Sequence, residues 1–253
     1  MEKSEVFGYA ADFYDALYSD KETSQEVDHF LLRAGLPLEN LSELSVLEIG
    51  IGTGRHAHVL AERGCRITGI DQSGEMLSRI PVHPKISARV ADGRSFDLHE
   101  RFDGVFAFFH VVSYFTSNAD LAGLFSSVRK HLKHGAAFVF DTWFTPGVEF
   151  HGFETRRKEV ITDDHRIIRL SSSEESPGTS VVKVSQQFVV WNSEGNIERE
   201  FEETHVMRHF TIEEIQELAK SQGFRVTDIS NVGGSGLPER EDWAATFTLV
   251  AAD

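Results

Sequence analysis

Short apolar runs alternate with amphipathic helical patterns from residue 45 to residue 144. The runs that predict strands cover residues 45–50, 65–71, 85–92, 102–109 and 136–144. The segments that predict helices cover residues 54–64, 73–80 and 118–135. This alternation predicts an α/β fold with a doubly wound parallel sheet, and such sheets bind their ligands at the carboxyl ends of the strands.

Two of these helices carry recognisable end signals. Ser73 is a candidate N-cap for the helix at 73–80, because its side-chain oxygen can accept a backbone N–H of the first turn. The helix at 118–135 has apolar side chains three and four residues apart, and we expect it to end at Gly135.

The pattern changes between about residue 155 and residue 210, where extended stretches replace helices. We predict three such stretches, separated by turns rich in Pro, Gly and Asn, at residues 158–172, 180–192 and 196–210. They indicate an antiparallel β-sheet inserted into the doubly wound domain.

The last part of the chain returns to the α/β pattern. Thr211 and Glu214 have the spacing of a capping box and begin a predicted helix that ends at Gly223. Strands predicted at 224–230 and 243–251 then complete the large sheet.

Composition and charge limit the partners of the chain. Its 253 residues include 40 acidic and 25 basic side chains, which gives a net charge of −15. Such a field repels phosphate backbones, so we expect a small-molecule substrate and no nucleic acid. No apolar run is long enough to span a bilayer, and the first residues lack the apolar core of a signal peptide, so we expect a cytoplasmic protein without a membrane partner.

Cysteine and histidine positions do not indicate a metal site. The single cysteine excludes an internal disulfide bond. His205 and His209 are four residues apart, a metal-binding spacing on a helix, but the alternation around them predicts a strand. We therefore expect no bound metal.

A glycine loop follows the first predicted strand and leads into a helix. Gly50, Gly52 and Gly54 have the spacing GxGxG, and Glu48 precedes them inside the strand. Glycines allow a tight turn and a close approach of ligand to backbone, but a dinucleotide enzyme would also use them. A carboxylate ahead of the loop suits a cationic ligand better than a pyrophosphate. Asp71, about twenty residues on, ends the second strand where an acid receives ribose hydroxyls.

Three segments in register carry a family resemblance: VLEIGIGTGRHAHVL, GIDQSGEML and ARVADGRSF. Together they resemble motifs I to III of the class I S-adenosylmethionine-dependent methyltransferases. The resemblance implies a Rossmann-like methyltransferase sheet that binds S-adenosylmethionine and releases S-adenosylhomocysteine. It implies ribose on Asp71 and adenine between residues 72–76 and Asp92-Gly93. The cofactor-binding residues expected in this core are Glu48, Gly50, Gly52, Thr53, Gly54, Asp71, Gln72, Met76, Asp92, Gly93 and Phe108.

The N-terminal piece GYAADFYDALYSDKE, the fifth-strand sequence FDTWF and the inserted sheet resemble one branch of this family. Members of that branch dimethylate amino groups of nucleotide-linked deoxyamino sugars. The resemblance implies that the N-terminal segment folds over the cofactor, with Tyr18 in contact with it and Tyr9 near the gating position. It implies that the inserted sheet forms the substrate site or the contact of a homodimer. The expected regions are an N-terminal helical cap (1–40), the cofactor-binding core (41–150), the inserted sheet (151–210) and the C-terminal helix and strands (211–253).

The methyl acceptor is predicted partly by exclusion. The residues from Phe108 to Tyr114 lack the Asn/Asp-Pro-Pro-Tyr motif of DNA and protein amino methyltransferases. Some sugar methyltransferases place a histidine near the amine, where this chain has Tyr114, and His110 lies one helical turn earlier. Tyr114 and His110 are therefore candidates to position the amine or relay its proton, and Tyr9 to exclude water. We expect methyl transfer to the amine of a sugar-linked metabolite. A small-molecule O-methyltransferase and a non-catalytic module that binds S-adenosylmethionine or NAD stay open as alternatives.

Overall fold

The computed structural model describes residues 2–252, which form two β-sheets with helices packed on the larger one. The strands are β1 (Glu2–Lys3), β2 (Ser45–Ile49), β3 (Arg66–Asp71), β4 (Ile86–Val90), β5 (Phe102–Ala107), β6 (Leu132–Trp143), β7 (Arg156–Ile161), β8 (His165–Glu175), β9 (Val181–Asn192), β10 (Ile197–Arg208), β11 (Phe224–Asn231) and β12 (Ala244–Ala251). The α-helices are α1 (Tyr14–Leu17), α2 (Thr23–Arg33), α3 (Arg55–Glu62), α4 (Gly74–Ser78), α5 (Asn118–His131), α6 (Thr145–His151) and α7 (Ile212–Ser221). Short 3-10 helices cover Tyr9–Phe13, Leu41–Glu43 and Val111–Tyr114.

The large sheet has the strand order β11-β12-β6-β5-β2-β3-β4. The five strands from β6 to β4 in that order are parallel, whereas β12 pairs antiparallel with both β6 and β11. The doubly wound α/β prediction is confirmed, and the C-terminal strands complete this sheet as expected. The carboxyl ends of the parallel strands therefore meet at one edge, where ligands bind in such sheets.

Helices cover both faces of the large sheet, and for this reason its central strands carry buried apolar side chains on both faces. Val46 and Leu47 are neighbours on β2 and both are fully buried, but they belong to different hydrophobic clusters. Val46 packs in the cluster that contains α2 and α3, and Leu47 in the cluster that contains α5 and α7. A strand buried on both faces reads as a continuous apolar run, which is why the sequence pattern located it.

Helix ends follow the capping signals in two places and depart from prediction in a third. Ser73 accepts the Met76 N–H, and Thr211 and Glu214 form a complete capping box at α7. Helix α5, however, ends at His131, and the prediction that it continues to Gly135 is wrong. Leu132 already pairs with Phe102 on β5, and Gly135 lies in the irregular stretch of β6 between this pair and the next one. This glycine therefore serves a strand irregularity and not a helix end.

The second sheet has the order β1-β10-β9-β8-β7 and is antiparallel except for the β1–β10 pair. The inserted antiparallel sheet is thus present, but the prediction of three stretches is wrong in number. The stretch at 158–172 contains the end of β7 and the start of β8. Thr162 makes the turn between them, since its N–H donates to the His165 carbonyl at 2.8 Å. A polar turn inside a long extended run leaves the alternation almost unbroken and is therefore easily missed.

Candidate functional site

A cavity of about 1320 Å³ lies at the carboxyl edge of the large sheet. The second sheet forms its opposite wall, and residues 3–21 of the N-terminal segment close one side. The predicted site residues that line it are Tyr9, Tyr18, Gly50, Gly52, Thr53, Asp71, Gln72, Met76, Gly93, Phe108, His110 and Tyr114. Glu48, Gly54 and Asp92 are not among the lining residues. The cavity therefore brings together most residues that the sequence singled out.

The glycine loop after β2 needs its glycines for two reasons. Gly50, Gly52 and Gly54 all have positive φ angles, of 68°, 56° and 80°, in the region that side chains disfavour. A Cβ atom on Gly50 would also lie only 2.6 Å from a methyl group of Val111. The loop backbone can therefore approach both the turn after β5 and any ligand in the cavity.

Asp71 at the end of β3 holds this loop in place. One carboxylate oxygen accepts the Gly52 N–H and the other accepts the Ser73 N–H, both at 2.9 Å. Burial raises the pKa of Asp71, and the backbone N–H groups oppose that rise because they stabilise the charged form. Each oxygen retains a lone pair for a further donor.

Glu48 lies behind the loop and not in the cavity. Its side chain is 1% exposed, and one of its oxygens has no hydrogen-bond partner. Burial and the negative charge of Asp71 raise the pKa of Glu48 well above its usual value. His56 is its nearest basic neighbour, at 3.8 Å, and Phe108 stacks on the His56 ring with centroids 4.2 Å apart.

The segment after β4 is polar, and its Asp92 already has hydrogen bonds from neighbouring side chains. Asp92 accepts hydrogen bonds from the guanidinium of Arg94 and, at 3.2 Å, from the amide of Gln72. The hydrogen bonds from Arg94 lower the pKa of Asp92. Gly93 faces the cavity, and a Cβ atom there would lie 2.9 Å from Phe115.

The turn after β5 is strained and is held by a buried carboxylate. Phe109 and His110 have positive φ angles of 60° and 62°, which are uncommon for residues with side chains. Asp141 on β6 accepts the His110 N–H at 3.1 Å, and the His110 Nδ1 lies 2.6 Å from its other oxygen. Burial favours protonation of Asp141, but the interaction with His110 outweighs it and lowers the pKa of Asp141. Strained backbone of this kind clusters at functional sites.

Tyr114 ends the 3-10 helix after that turn and reaches the second sheet. Its hydroxyl lies 2.9 Å from the Nδ1 atom of His205 on β10. The ring of Phe7, from the N-terminal segment, packs against both side chains. Burial raises the pKa of Tyr114 well above its usual value and lowers that of His205 to about 4.

The N-terminal tyrosines occupy three different positions. Tyr9 lines the cavity, but its hydroxyl donates to Glu2 at 2.8 Å on an exposed side and its ring lies against Arg199. The hydroxyl of Tyr18 accepts a hydrogen bond from Arg169 at 2.9 Å. Tyr14 is half-buried between Phe7 and Tyr18 and lines the cavity. This segment is attached to the glycine loop, because the hydroxyl of Thr53 donates to Asp15 at 2.7 Å.

Sequence reasoning did not single out Tyr14, Asp141, Glu203 or His205 as site residues. Tyr14 and Asp141 lie inside the two sequences, GYAADFYDALYSDKE and FDTWF, that carry the resemblance, so these sequences contain a signal for both residues. Glu203 and His205 had no such signal beyond strand alternation. Within residues 2–252 no cluster of His, Cys, Asp and Glu side chains suits a metal ion. No helix in the same range is long and apolar enough to cross a membrane.

Comparison with known proteins agrees with the site. A model of the methyltransferase domain matches residues 46–135. A putative methyltransferase of Bacillus subtilis, YqeM, is 30% identical, with 91% of this chain and 92% of that protein covered. The dTDP-4-amino-2,3,4,6-tetradeoxy-D-glucose N,N-dimethyltransferase of Saccharopolyspora spinosa is 28% identical over 90% of each chain. The S-adenosylmethionine-bound amino pentose methyltransferase CalS10 of Micromonospora echinaspora superposes over 100% of both chains with a TM-score of 0.71 and 19% identity. The chain belongs to the S-adenosylmethionine-dependent methyltransferases.

Proposed function

We propose that the chain transfers a methyl group from S-adenosylmethionine to the amine of an amino sugar carried on a nucleotide. The observation that carries the proposal is the large cavity between the glycine loop and the second sheet. Ligand pockets usually measure roughly 300–1,000 Å³. A cavity of about 1320 Å³ therefore has room for a cofactor and a second ligand together.

The cofactor is assigned to the half of the cavity next to the glycine loop. Gly50 and Gly52 present backbone to the ligand, and Asp71 has free lone pairs for the two ribose hydroxyls. The segment from Gln72 to Met76 and Gly93 would enclose the adenine. Further cofactor contacts are assigned to Tyr18, Thr53 and Phe108, while Glu48, Gly54 and Asp92 support the loop and the strand ends from outside the cavity. Acidic and aromatic groups suit the sulfonium, which is a cation.

The acceptor is assigned to the half formed by the second sheet. Arg156 and Arg169 line this wall although the chain as a whole carries a net charge of −15. The Nε atom of Arg169 is buried without a hydrogen-bond partner, and the guanidinium of Arg156 lies over the Trp243 ring. Guanidinium groups bind phosphate oxygens strongly, so this wall suits the diphosphate of a nucleotide-linked sugar. The names of the Saccharopolyspora relative and of CalS10 support an amino-sugar acceptor.

Methyl transfer depends more on the position of the acceptor amine than on a strong acid or base in the protein. The lone pair of a neutral amine forms the new N–C bond while the S–C bond breaks and its electron pair stays on sulfur. The products are S-adenosylhomocysteine and an N-methylammonium, which releases its proton to water. The nitrogen must lie in line with the leaving sulfur at about 3–3.5 Å from the methyl carbon. His110, Tyr114 and the N-terminal aromatic residues are the groups we assign to this positioning and to the exclusion of water.

The test is a screen of amines scored by release of S-adenosylhomocysteine. We expect nucleotide-linked amino sugars to be methylated, and the same sugars without the nucleotide to show a KM at least about tenfold higher. Matched sugars with a hydroxyl in place of the amine serve as controls and should not react. Turnover of alcohols or phenols but not amines would refute the assignment, as would NAD binding without any response to S-adenosylhomocysteine.

We also propose that the protein acts on free small molecules and not on nucleic acid, which the net charge of −15 supports. A homodimer is proposed to form through the outer face of the second sheet. That face exposes Leu170 and Val206, which are 39% and 46% accessible.

A further inference from the structure

His205 is a buried side chain in contact with the hydroxyl of Tyr114. It lies on β10, is 3% exposed and lines the cavity. Its Nδ1 atom is 2.9 Å from the Tyr114 hydroxyl. Its Nε2 atom has no hydrogen-bond partner, and the nearest carboxylate oxygen, on Glu203, is 3.7 Å away.

Glu203 is itself fixed by the N-terminal segment. One of its oxygens accepts the Phe7 N–H and the other accepts the Ala10 N–H, both at 3.0 Å. It therefore presents acceptor oxygens to its surroundings, including the side that faces His205.

These neighbours select one tautomer of the His205 ring. A neutral imidazole has one N–H and one acceptor nitrogen. With the proton on Nε2, the N–H points towards the Glu203 oxygens and Nδ1 accepts the hydroxyl of Tyr114. With the proton on Nδ1, the lone pair of Nε2 would face the carboxylate, which is repulsive. The first arrangement is therefore favoured, and Tyr114 donates its only hydroxyl proton to His205.

We propose that His205 is a positioning residue that holds the Tyr114 hydroxyl proton away from the cavity, so that the Tyr114 oxygen accepts a hydrogen bond from the acceptor amine. This inference rests on the proposed function, because it assigns the amine to the Tyr114 side of the cavity. A tyrosine hydroxyl that was free to rotate could donate to the amine lone pair, which is the electron pair that must attack the methyl group. With the proton held by His205, Tyr114 can only accept an N–H from the amine, and the lone pair stays available.

The kinetic test compares variants of both members of the pair. His205→Leu removes the acceptor for the Tyr114 proton, and Tyr114→Phe removes the hydroxyl. We expect each to lower kcat/KM for the amine about tenfold or more, with S-adenosylhomocysteine affinity within about twofold of wild type. In the Tyr114→Phe background, His205→Leu should cause no more than about a twofold further loss, because the residue acts through the hydroxyl. His205→Asn, which offers an amide oxygen near the Nδ1 position, should recover most of the activity.

His209 provides a matched control near the end of the same strand. It is also 3% exposed, with Nδ1 at 2.8 Å from the Thr145 hydroxyl and Nε2 at 3.0 Å from Glu175. Like His205 it has a hydroxyl at Nδ1 and a carboxylate near Nε2, although here the carboxylate is within hydrogen-bond distance, and it is not among the cavity-lining residues. We expect His209→Leu to lower the melting temperature as His205→Leu does, without the change in kcat/KM.

A second measurement does not depend on turnover. Nitrogen NMR of the histidine-labelled complex with S-adenosylhomocysteine should show the His205 proton on Nε2 and an unprotonated Nδ1. A proton on Nδ1 would overturn the inference, and so would equal losses from His205→Leu in the wild-type and Tyr114→Phe backgrounds. If the wild-type enzyme methylates no amine, the proposed function fails, and with it the positioning role of His205. A proton on Nε2 would in that case establish only the hydrogen bond from Tyr114 to His205.

Discussion

Asp71 offers the sharpest test of where the cofactor binds, because its carboxylate holds the glycine loop and is proposed to bind the ribose. Both oxygens already accept a backbone N–H from the glycine loop or from Ser73. Asp71→Asn is therefore not a conservative change, since either orientation of the amide would place its NH₂ group against a backbone N–H. Asp71→Ala is the better perturbation because it removes the carboxylate without adding a donor.

The expected loss follows from the hydrogen bonds to ribose. A hydrogen bond to a charged group contributes about 1.5–3 kcal/mol. Two hydroxyls set an upper limit near twice that value, and water that enters the vacated space recovers part of it. We therefore expect a net loss of about 1.5–3 kcal/mol, which is about a 10- to 150-fold weaker affinity.

Calorimetry with S-adenosylmethionine and S-adenosylhomocysteine measures this loss, and a thermal melt shows whether the variant is folded. Asp103→Ala is the matched control, because Asp103 also accepts a backbone N–H, from Ser45 at 2.9 Å, but lies outside the cavity. Burial raises the pKa of Asp71, so this carboxylate is protonated at a higher pH than an exposed aspartate would be. On acidification, the cofactor affinity of the wild type should therefore begin to fall at that higher pH. Unchanged affinity in a folded Asp71→Ala variant would refute the assignment of ribose to β3.

Three further predictions concern the loop, the acceptor class and the assembly. Gly50→Ala should weaken cofactor binding and lower stability by about 1–3 kcal/mol more than Gly35→Ala, measured by calorimetry and denaturant unfolding. The two glycines have φ angles of 68° and 69°, but only Gly50 has a neighbour that a Cβ would strike, so equal effects would contradict the close approach to Val111. No gel shift with DNA or RNA is expected at 150 mM salt, where the Debye length is about 8 Å, and a salt-sensitive shift at micromolar protein would reopen nucleic acid as a substrate. Sedimentation equilibrium should give twice the chain mass, and Val206→Lys should give the monomer; a wild-type monomer would exclude the proposed dimer.

The large sheet and its loop could be predicted because their signals are local. The strand at β2 is an apolar run, the loop needs glycines, and Asp71 follows at the end of the next strand. The end of α5 was missed because the helical spacing of apolar side chains continues from Val128 to Leu132, which belongs to β6. Nothing in the local pattern marks that change.

The Tyr114–His205 contact could not be predicted for a different reason. The two residues are 91 positions apart, and their contact depends on how the second sheet packs against the turn after β5. Strand alternation gives the face on which His205 lies, but it does not give the element opposite that face. Tyr9 and Tyr14 illustrate the same limit within the N-terminal segment, because only the packing of that segment decides that Tyr9 contacts Glu2 and Arg199 while Tyr14 packs between other aromatic rings.

The backbone of Phe7 makes hydrogen bonds to both sides of the cavity. Its carbonyl accepts the Ser73 hydroxyl at 3.2 Å beside the glycine loop, and its N–H donates to Glu203 on the second sheet. Its φ angle of 55° is left-handed, a conformation that costs about 1–3 kcal/mol for a residue with a side chain. Two hydrogen bonds of about 0.5–1.5 kcal/mol each are together of the same size as that cost. Phe7 is therefore one of several residues that attach the N-terminal segment to both sides of the cavity, together with Asp15, which accepts the Thr53 hydroxyl, and Ala10, whose N–H donates to Glu203.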